Sequence, residues 1–342
     1  MSVLRLGTRA SALATTQSGW VAARLREAGH EVELVPVSTE GDRSSRPLVE
    51  IGGTGVFASA LRQALQQRHI DLAVHSLKDL PVAPEPGLVL AAVPEREDPR
   101  DAVVSRPGLT LAQAPNGTRV GTGSPRRAAQ LRALNPGLDV TDLRGNVDTR
   151  ISRVASGELD AVVLAVAGLS RLGRLEEATE LLDLTVMLPA PGQGALAVEC
   201  RADATAVRDA VAVLEHEDTR RAVTAERAVL ARLEAGCTAP VAALARREGR
   251  GLSLSAVVGT HSGLLRAQGS GPDPDDLGRQ LADRLLAGLD GPDPRPRHPG
   301  TDPGRPLHPA PTRTTPSTPG DPGPDSSRHP GPPAAQQRSV RP

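Results

Sequence analysis

The sequence is poor in aromatic residues and has no net charge, and both shortages exclude a class of protein. Its 342 residues include one Trp, one Phe and no Tyr, so the chain lacks the aromatic platform on which single-stranded nucleic acids stack. The 40 basic and 40 acidic residues balance, which leaves no overall field to attract nucleic acid or an anionic membrane. We therefore expect no nucleic-acid partner.

Cysteines and long apolar runs are also scarce. Cys200 and Cys237 are too few for a disulfide scaffold and suit a reducing compartment. The N-terminal residues are already patterned as strand and helix and contain no apolar signal core. No run of about 18 apolar residues is present to span a bilayer. The sequence thus predicts a cytoplasmic protein with no membrane partner.

Lysine is almost absent, because Lys78 is the only one and every other basic side chain is arginine. A genome whose codon usage disfavours lysine is the simplest explanation of this bias. A lysine kept beside Asp79 nevertheless indicates a position that needs a compact ammonium, since the arginine guanidinium is a broad planar fork.

Strand and helix patterns alternate through the first half of the chain. We predict strands at 3–7, 31–37, 71–74, 119–121, 139–143 and 161–165, and helices at 12–28, within 55–67, at 125–134, at 147–156 and from Val166 onward. Such alternation is typical of mainly parallel sheets covered by helices.

The C-terminal third has a different pattern. A helix at 219–234 precedes three short strands at 241–246, 252–258 and 264–268. A closing helix then places Leu277, Leu281 and Leu285 at intervals of four residues, on one face. This order predicts a small α+β domain.

The last segment, 291–342, holds half of the chain's 32 prolines, with Leu307 and Val340 as its only large apolar residues. Such a composition cannot bury enough surface to offset the entropy of ordering. We expect a disordered tail that is dispensable for folding and activity.

The most informative stretch is 121–127, Gly-Thr-Gly-Ser-Pro-Arg-Arg. Ser124 is a good N-cap and Pro125 suits the first helical position, so a strand turns directly into a helix. The free N–H groups and partial positive charge at a helix start bind anions, and Arg126 and Arg127 add two guanidinium groups. Two further strand-to-helix junctions carry Arg9, Arg144 and Arg150. Since such junctions meet at the carboxyl edge of a parallel sheet, a ligand with several carboxylates or phosphates is indicated.

Nucleotide and metal sites do not fit this pattern. A Walker loop needs Gly-Lys-Ser/Thr, whereas the only lysine follows Leu77. A dinucleotide fingerprint needs a third glycine where Arg126 stands. No Cys-x-x-Cys or paired histidine spacing is present, so we expect no metal. A carboxylate-bearing ligand is the remaining interpretation.

Asp79 and Cys237 are the candidate reactive groups. Asp79 precedes Leu80-Pro81 and is either a turn residue, a common role for Asp, or a carboxylate at the mouth of a cleft. Cys237 lies in a loop of small residues, where its sulfur would be accessible as a nucleophile or attachment point. Cys200 ends an apolar run and is predicted to be a core thiol.

These stretches, in their order, resemble the porphobilinogen deaminase family. The resemblance covers residues 3 to about 289 and is carried by nine motifs: LGTRASALA, GGTGVF, AVHSLKDLP, EREDPRDAVVS, VGTGSPRR, LRGNVDTR, LAVAGLSRLG, LPAPGQGALAVEC and AGCTAP. It implies two periplasmic-binding-protein-like α/β lobes and a small α+β C-terminal domain. The implied boundaries are 1–96 with 193–214 for the first lobe, 97–192 for the second, 215–290 for the third domain and 291–342 for the tail.

The resemblance also implies a reaction and its residues. A monomeric transferase would condense four porphobilinogen molecules head to tail into hydroxymethylbilane, releasing four ammonia, in tetrapyrrole (heme) biosynthesis. Growth would be primed on a dipyrromethane cofactor joined through a thioether to Cys237, with Asp79 as the catalytic carboxylate. Cofactor binding is implied for Cys237, Lys78, Ser124, Arg126, Arg127 and Arg150. Substrate binding is implied for Arg9, Ser11, Arg144, Arg150, Arg171 and Gln193, and Ser76 and Thr122 fall in the same motifs.

The sequence differs from the family pattern in one loop, and one alternative function fits the same two-lobed fold. Many members of the family have two lysines in a loop of the first lobe where this chain has Glu50 and Thr54. The rival function is a non-catalytic, two-lobed binding protein for a small polycarboxylate. That rival gives no role to Cys237 or to the third domain.

Overall fold

The structure is a computed structural model that describes residues 3–37, 56–235 and 239–290, and these residues build three β-sheets covered by helices. The strands are β1 (Leu4–Thr8), β2 (Val32–Pro36), β3 (Leu72–Ser76), β4 (Leu88–Ala92), β5 (Asp101–Ser105), β6 (Arg119–Gly121), β7 (Asp139–Thr141), β8 (Ala161–Ala165), β9 (Glu180–Leu181), β10 (Leu196–Arg201), β11 (Val241–Glu248), β12 (Gly251–Thr260) and β13 (Gly263–Gly271). The α-helices are α1 (Ala12–Glu27), α2 (Val56–Gln66), α3 (Pro125–Leu134), α4 (Val147–Ala155), α5 (Val166–Arg171), α6 (Thr205–Val211), α7 (Glu217–Arg232) and α8 (Pro274–Asp290).

The first sheet has the strand order β2-β1-β3-β10-β4. Strand β1 runs parallel to β2 and β3, whereas β10 runs antiparallel to β3 and β4. Val21 and Leu25 of α1 are fully buried with Leu6 in the core of this lobe. Each such side chain contributes about 1.5–3 kcal/mol when it is fully buried, which holds α1 on the sheet. A 3₁₀ turn, Leu77–Asp79, follows β3 at the edge of the sheet.

The second sheet has the order β7-β6-β8-β5-β9. Strand β6 is parallel to β7 and β8, and β5 is antiparallel to β8 and β9. Helix α3 begins directly after β6, because Ser124 Oγ accepts a hydrogen bond from the Arg127 N–H and Pro125 takes the first helical position. A Cβ at Gly123 would lie 2.6 Å from the Leu143 carbonyl oxygen, so the close approach of these two strand-to-helix loops needs glycine.

The third sheet, β11-β12-β13, is an antiparallel meander with α7 and α8 packed on it. Leu277, Leu281 and Leu285 of α8 are buried, as their spacing predicts. The buried Leu254 of β12 and Val229 of α7 belong to the same core. The predicted α+β character of this region is confirmed.

The structure confirms the two α/β lobes and shows both five-stranded sheets to be mixed. In each, the three strands that the alternating pattern predicts are parallel, and two more join through antiparallel pairings, so that one strand, β10 or β5, runs opposite to the rest. The sequence pattern did not predict these extra strands, which are β4, β5, β9 and β10. A run of apolar residues indicates that a segment is buried, but it does not indicate the direction of a strand. That direction depends on the path by which the chain enters the sheet.

Several predicted features lie outside the described residues, namely Glu50, Thr54, Cys237 and the segment 291–342. Within the described ranges, none of the helices combines the length and the apolar character that crossing a bilayer requires.

Candidate functional site

A cavity of about 510 Å³ lies where segments of all three sheets meet. Residues 78–83 after β3 form one wall, and the start of α3 together with Arg150 forms another. Ala190, Pro191 and Gln193, which precede β10, line it as well, and so do residues at the end of α7 and the start of β11. Of the three junctions predicted to bind anions, the one at 121–127 and, through Arg150, the one before α4 thus border one space.

Lys78 and Asp79 reach this cavity from the 3₁₀ turn. Leu77 and Leu80 on either side of the pair are buried, which anchors the turn and leaves Asp79 exposed and Lys78 half-buried. Lys78 Nζ lies 3.4 Å from Gln193 Oε1, to which it donates. Burial lowers the pKa of Lys78 to about 8, and the negative charge of Asp79 opposes part of this effect. The turn therefore presents a carboxylate and an ammonium together.

Arg126 and Arg127 line the cavity and also share a buried counter-ion, Asp101. Arg126 Nη2 donates to Asp101 Oδ2 at 2.8 Å, and Arg127 Nη2 donates to Oδ1 at 2.6 Å. Burial alone would raise the pKa of Asp101, but the two guanidinium charges outweigh it and lower that pKa well below its usual range. Asp101 therefore stays ionised and holds both arginines in place.

Gln193 connects the two groups of charges. Its Nε2 donates to Asp101 Oδ1 at 2.9 Å and to the Pro99 carbonyl at 2.7 Å, while its Oε1 accepts from Lys78. The side chain is buried and lines the cavity, as a site residue should. Gln193 is thus placed to keep Lys78 in register with the arginine pair.

Arg150 approaches the same cavity from α4. Its Nε donates to the Gly145 carbonyl at 2.8 Å. Gly145 lies in the strand-to-helix loop just before Asn146, the N-cap of α4. Burial lowers the pKa of Arg150, the nearby charge of Arg127 adds to this, and Asp142 and Asp79 act in the opposite direction. Arg150, Arg127 and Asp79 are therefore close enough to interact electrostatically.

Other predicted residues lie away from the cavity wall. Arg144 is exposed, with its Nε 3.5 Å from Asp142 Oδ2. Arg171 Nη2 donates to the Gly194 carbonyl at 2.6 Å. Ser11 caps α1, as predicted, by accepting from the Ala14 N–H, and Arg9 follows β1 in a half-buried position. Their binding roles stay predictions.

Four more predicted residues have clear places in the structure. Ser124 lines the cavity while capping α3. Ser76 exchanges hydrogen bonds with Gln17, and Thr122 Oγ1 accepts from the Ser124 N–H. Cys200 is fully buried and burial raises the pKa of its thiol, which confirms it as a core cysteine. Cys237 itself is outside the described residues, but Ala235 and Ala239 on either side of that gap line the cavity.

Four residues that hold the walls of the cavity were not predicted from the sequence, namely Asp101, Arg96, Glu226 and Arg227. Glu226 is fully buried, and its carboxylate accepts two bonds from Arg96, one from the Gly192 N–H and one from the Ala245 N–H. The signal for Asp101 was available, since a charged residue opens the apolar strand β5. The partners of Glu226 lie far from it in sequence, and no local pattern points to them.

The residues present fit a polycarboxylate group such as a dipyrromethane. Lys78, Arg126, Arg127 and Arg150 supply four cationic groups around one cavity, and Asp101 is the buried carboxylate that pairs with two of them. Within the described part of the chain, Arg126 Nε is buried and has no hydrogen-bond partner. No group of three or more metal-ligating side chains occurs in the described ranges. The donor set therefore suits carboxylates.

The solved structures that the fold resembles share little sequence with it. The methionine-binding protein MetQ is 12% identical with a TM-score of 0.42, and the match covers 64% of this chain and 92% of that one. A periplasmic substrate-binding protein of an ABC transporter from Coxiella burnetii is 15% identical with a TM-score of 0.40, over 64% of this chain and 94% of that one.

Curated relatives match far more closely. Porphobilinogen deaminase of Mycobacteroides abscessus is 54% identical over 298 residues, covering 83% of this chain and 97% of its own. The porphobilinogen deaminase of Mycolicibacterium paratuberculosis is 55% identical over 297 residues, with coverage of 83% and 94%. That of Mycobacterium tuberculosis is 55% identical over 280 residues, with coverage of 79% and 90%.

Two family models match nearly all of the described chain. Residues 4–209 match the model described as porphobilinogen deaminase, dipyromethane cofactor binding domain. Residues 220–287 match porphobilinogen deaminase, C-terminal domain. On the strength of these two matches and of relatives more than half identical, the chain belongs to the porphobilinogen deaminase family.

Proposed function

We propose that the protein condenses four porphobilinogen molecules head to tail into hydroxymethylbilane, with uptake of one water and release of four ammonia. The observation that carries this proposal is the arrangement of Asp79 among four cationic side chains in one cavity, with residues on both sides of Cys237 in its wall. A chain of pyrroles bearing acetate and propionate groups needs several cations to bind it and one carboxylate for the chemistry.

The cofactor is proposed to be a dipyrromethane joined by a thioether to Cys237. Lys78, Ser124, Arg126, Arg127 and Arg150 would hold its carboxylates, because all five line the cavity and charge-assisted hydrogen bonds are the strong ones. When bound, the dipyrromethane supplies the free pyrrole carbon to which the first substrate is added. Substrate carboxylates are assigned to Arg9, Ser11, Arg144, Arg150, Arg171 and Gln193.

Asp79 is proposed to be the catalytic residue. When porphobilinogen loses ammonia, positive charge develops on its pyrrole nitrogen and persists until the new bond has formed and a proton has left. A fixed carboxylate favours that charged state over the neutral substrate, which lowers the barrier. Unit charges about 4 Å apart interact by roughly 4 kcal/mol at an effective dielectric of 20, or a rate factor near 10³.

The test is turnover of porphobilinogen by Asp79→Asn and Asp79→Glu. The Asn variant keeps the size of the side chain but not its charge, so turnover should fall about 10³-fold, and the Glu variant should lie between it and wild type. Asp139→Asn, an exposed aspartate on β7, is the control and should keep wild-type turnover. An Asp79→Asn enzyme with more than about a tenth of wild-type turnover would mean that Asp79 is only a turn residue. A chain that binds porphobilinogen but releases no ammonia would instead be a binding protein.

The same proposal includes the domain division predicted from the sequence, 1–96 with 193–214, 97–192 and 215–290. What supports it is that β1–β4 and β10 share one sheet, β5–β9 share the second, and β11–β13 form the third. A cytoplasmic location and a monomeric state complete the proposal, and the small number of cysteines is what supports a reducing compartment.

A further inference from the structure

Arg227 of α7 binds the turn that carries Lys78 and Asp79. Its Nη1 donates to the Leu80 carbonyl at 2.9 Å and to the Leu77 carbonyl at 3.4 Å. Its Nη2 donates to the Pro81 carbonyl at 2.7 Å. One guanidinium group thus reaches carbonyls on both sides of Asp79, although it lies almost 150 residues further along the chain.

Two backbone hydrogen bonds between described residues also hold the turn. The Leu77 N–H donates to the Ala195 carbonyl at 3.0 Å, and the Leu80 N–H donates back to the Leu77 carbonyl at 3.1 Å. These bonds close the turn at its start, but they do not attach it to the third domain. Val223 of α7 packs in one buried cluster with Leu77 and Leu80, and Arg227 adds the hydrogen bonds that attach the turn of the first lobe to α7 of the third domain.

An arginine can position a turn only if its own helix is held firmly. Glu226, the neighbouring residue on α7, is fully buried and binds Arg96, the Gly192 N–H and the Ala245 N–H. Gly192 lies between Pro191 and Gln193, which also line the cavity, so Glu226 and Arg227 tie two segments of the cavity wall to one helix. The same helix leads to Glu234 and Ala235, which line the cavity just before Cys237 in the sequence.

We propose that Arg227 is a positioning residue that holds the Asp79 carboxylate in a fixed position relative to the end of α7. This inference rests on the proposed catalytic role of Asp79. It predicts that Arg227 acts on the rate through Asp79 and touches neither cofactor nor substrate. Lysine keeps the charge, but its single nitrogen cannot reach carbonyls on both sides of the turn as the planar fork does.

The first test compares Arg227→Met and Arg227→Lys with the control Arg221→Met. Arg221 is on the same helix but donates to the Pro272 carbonyl at 2.8 Å, remote from the cavity. We expect kcat to fall about 10- to 100-fold in Arg227→Met with KM changed less than about threefold, an intermediate loss in Arg227→Lys, and no change in the control. Hydrogen–deuterium exchange of the peptide 76–82 should be faster in both Arg227 variants. Intact mass should still show the bound dipyrromethane.

A second measurement separates positioning from general damage to the fold. If Arg227 acts through Asp79, adding Arg227→Met or Arg227→Lys to Asp79→Asn should lower kcat less than about twofold further, because the two effects are not independent. If the kcat of the double variant falls by the product of the two single-variant losses, the inference is overturned. A wild-type kcat together with unchanged hydrogen–deuterium exchange in Arg227→Met would overturn it as well. If that variant does not fold, Arg227→Lys alone decides by the same criteria. Failure of the catalytic role of Asp79 is separately visible, since Asp79→Asn itself would then keep more than about a tenth of wild-type turnover. Failure of the proposed function would show as wild-type protein that releases no ammonia from porphobilinogen.

Discussion

Arg127 Nη2 lies 2.6 Å from Asp101 Oδ1, although both side chains are almost completely buried beside a cavity lined with cations. Arg126 pairs with the other oxygen of the same carboxylate at 2.8 Å. One aspartate of the protein therefore neutralises about half of the positive charge that two adjacent arginines bring to the cavity wall. The Asp101 carboxylate holds both guanidinium groups in one orientation before any ligand carboxylate is present.

Removing the charge of Asp101 should destabilise the fold strongly. In protein without the dipyrromethane, Asp101→Asn leaves two buried guanidinium groups without their counter-ion, and breaking a buried pair in this way costs about 3–5 kcal/mol. Urea denaturation measures the loss. Asp98→Asn is the control, because Asp98 pairs with Arg100 where the side chains are 26% and 38% exposed, and there we expect a change of less than about 1 kcal/mol. A similarly small loss for Asp101→Asn would show that the arginines do not depend on it.

Lys78 should titrate near pH 8 in protein that carries no dipyrromethane. Its pKa of about 8 is below the ordinary value of 10.5, so the unfolded chain binds more protons between these values and the free energy of unfolding should rise with pH across that window. Because Lys78 is the only lysine, nuclear magnetic resonance of lysine-labelled Cys237→Ser protein reports its titration without overlap. Cofactor carboxylates in wild type should raise the pKa. A value of 10 or more in Cys237→Ser would contradict this prediction.

Arg150 should contribute to ligand binding. A hydrogen bond to a charged group is worth about 1.5–3 kcal/mol, so Arg150→Leu should lower turnover at least about tenfold while the circular dichroism spectrum stays native-like. We expect the same of Arg144→Leu. Arg153→Leu is the control on α4, since that side chain pairs with Glu158 at the surface. Normal kinetics in the Arg150 and Arg144 variants would remove both from the site.

Glu199 should account for part of the acid sensitivity of the first lobe. Burial acts to raise its pKa, but His75 and Arg62 outweigh that effect and lower the pKa to about 2, from an ordinary value of 4.5. Its stabilisation is therefore complete above about pH 4.5 and is lost as the pH falls toward 2. At about 1.4 kcal/mol per unit, Glu199→Gln should lower the free energy of unfolding at pH 7 by about 3 kcal/mol.

The control for Glu199 is Glu85→Gln, because Glu85 binds the same Arg62 at 3.3 Å with its side chain 35% exposed. It should cost less than about 1 kcal/mol. The difference between wild type and Glu199→Gln should shrink as the pH falls from 4.5 to 2. A difference that is constant with pH would show that the charge of Glu199 is not what stabilises the lobe.

Local signals allowed the elements around the site to be predicted well. Helix α3 was predicted at 125–134 and is observed at Pro125–Leu134, because its cap and its first-turn proline are adjacent in sequence. Strand β6 and strand β8 were likewise predicted at their observed bounds. The prediction that strand-to-helix loops lie near one another rests on the parallel arrangement of these strands, because their carboxyl ends meet at one edge of the sheet.

Contacts between distant segments could not be predicted in the same way. Arg126 and Arg127 are predicted to bind carboxylates of the cofactor, yet both also bind Asp101 of β5. The pairing depends on β5 lying antiparallel beside β8, and no local pattern specifies that. Arg227 and Glu226 were missed for the same reason, since a helical arginine or glutamate is usually a solvated surface residue.

The central claim, a covalent cofactor on Cys237, is tested most directly by the intact mass of the purified, active protein. Wild type should be heavier than its sequence by one dipyrromethane, and so should Cys200→Ser, because Cys200 is fully buried. Cys237→Ser should have the mass of the bare chain and should not form hydroxymethylbilane. Fully active wild-type protein with an unmodified mass would contradict the account, as would a Cys237→Ser variant that retains the added mass.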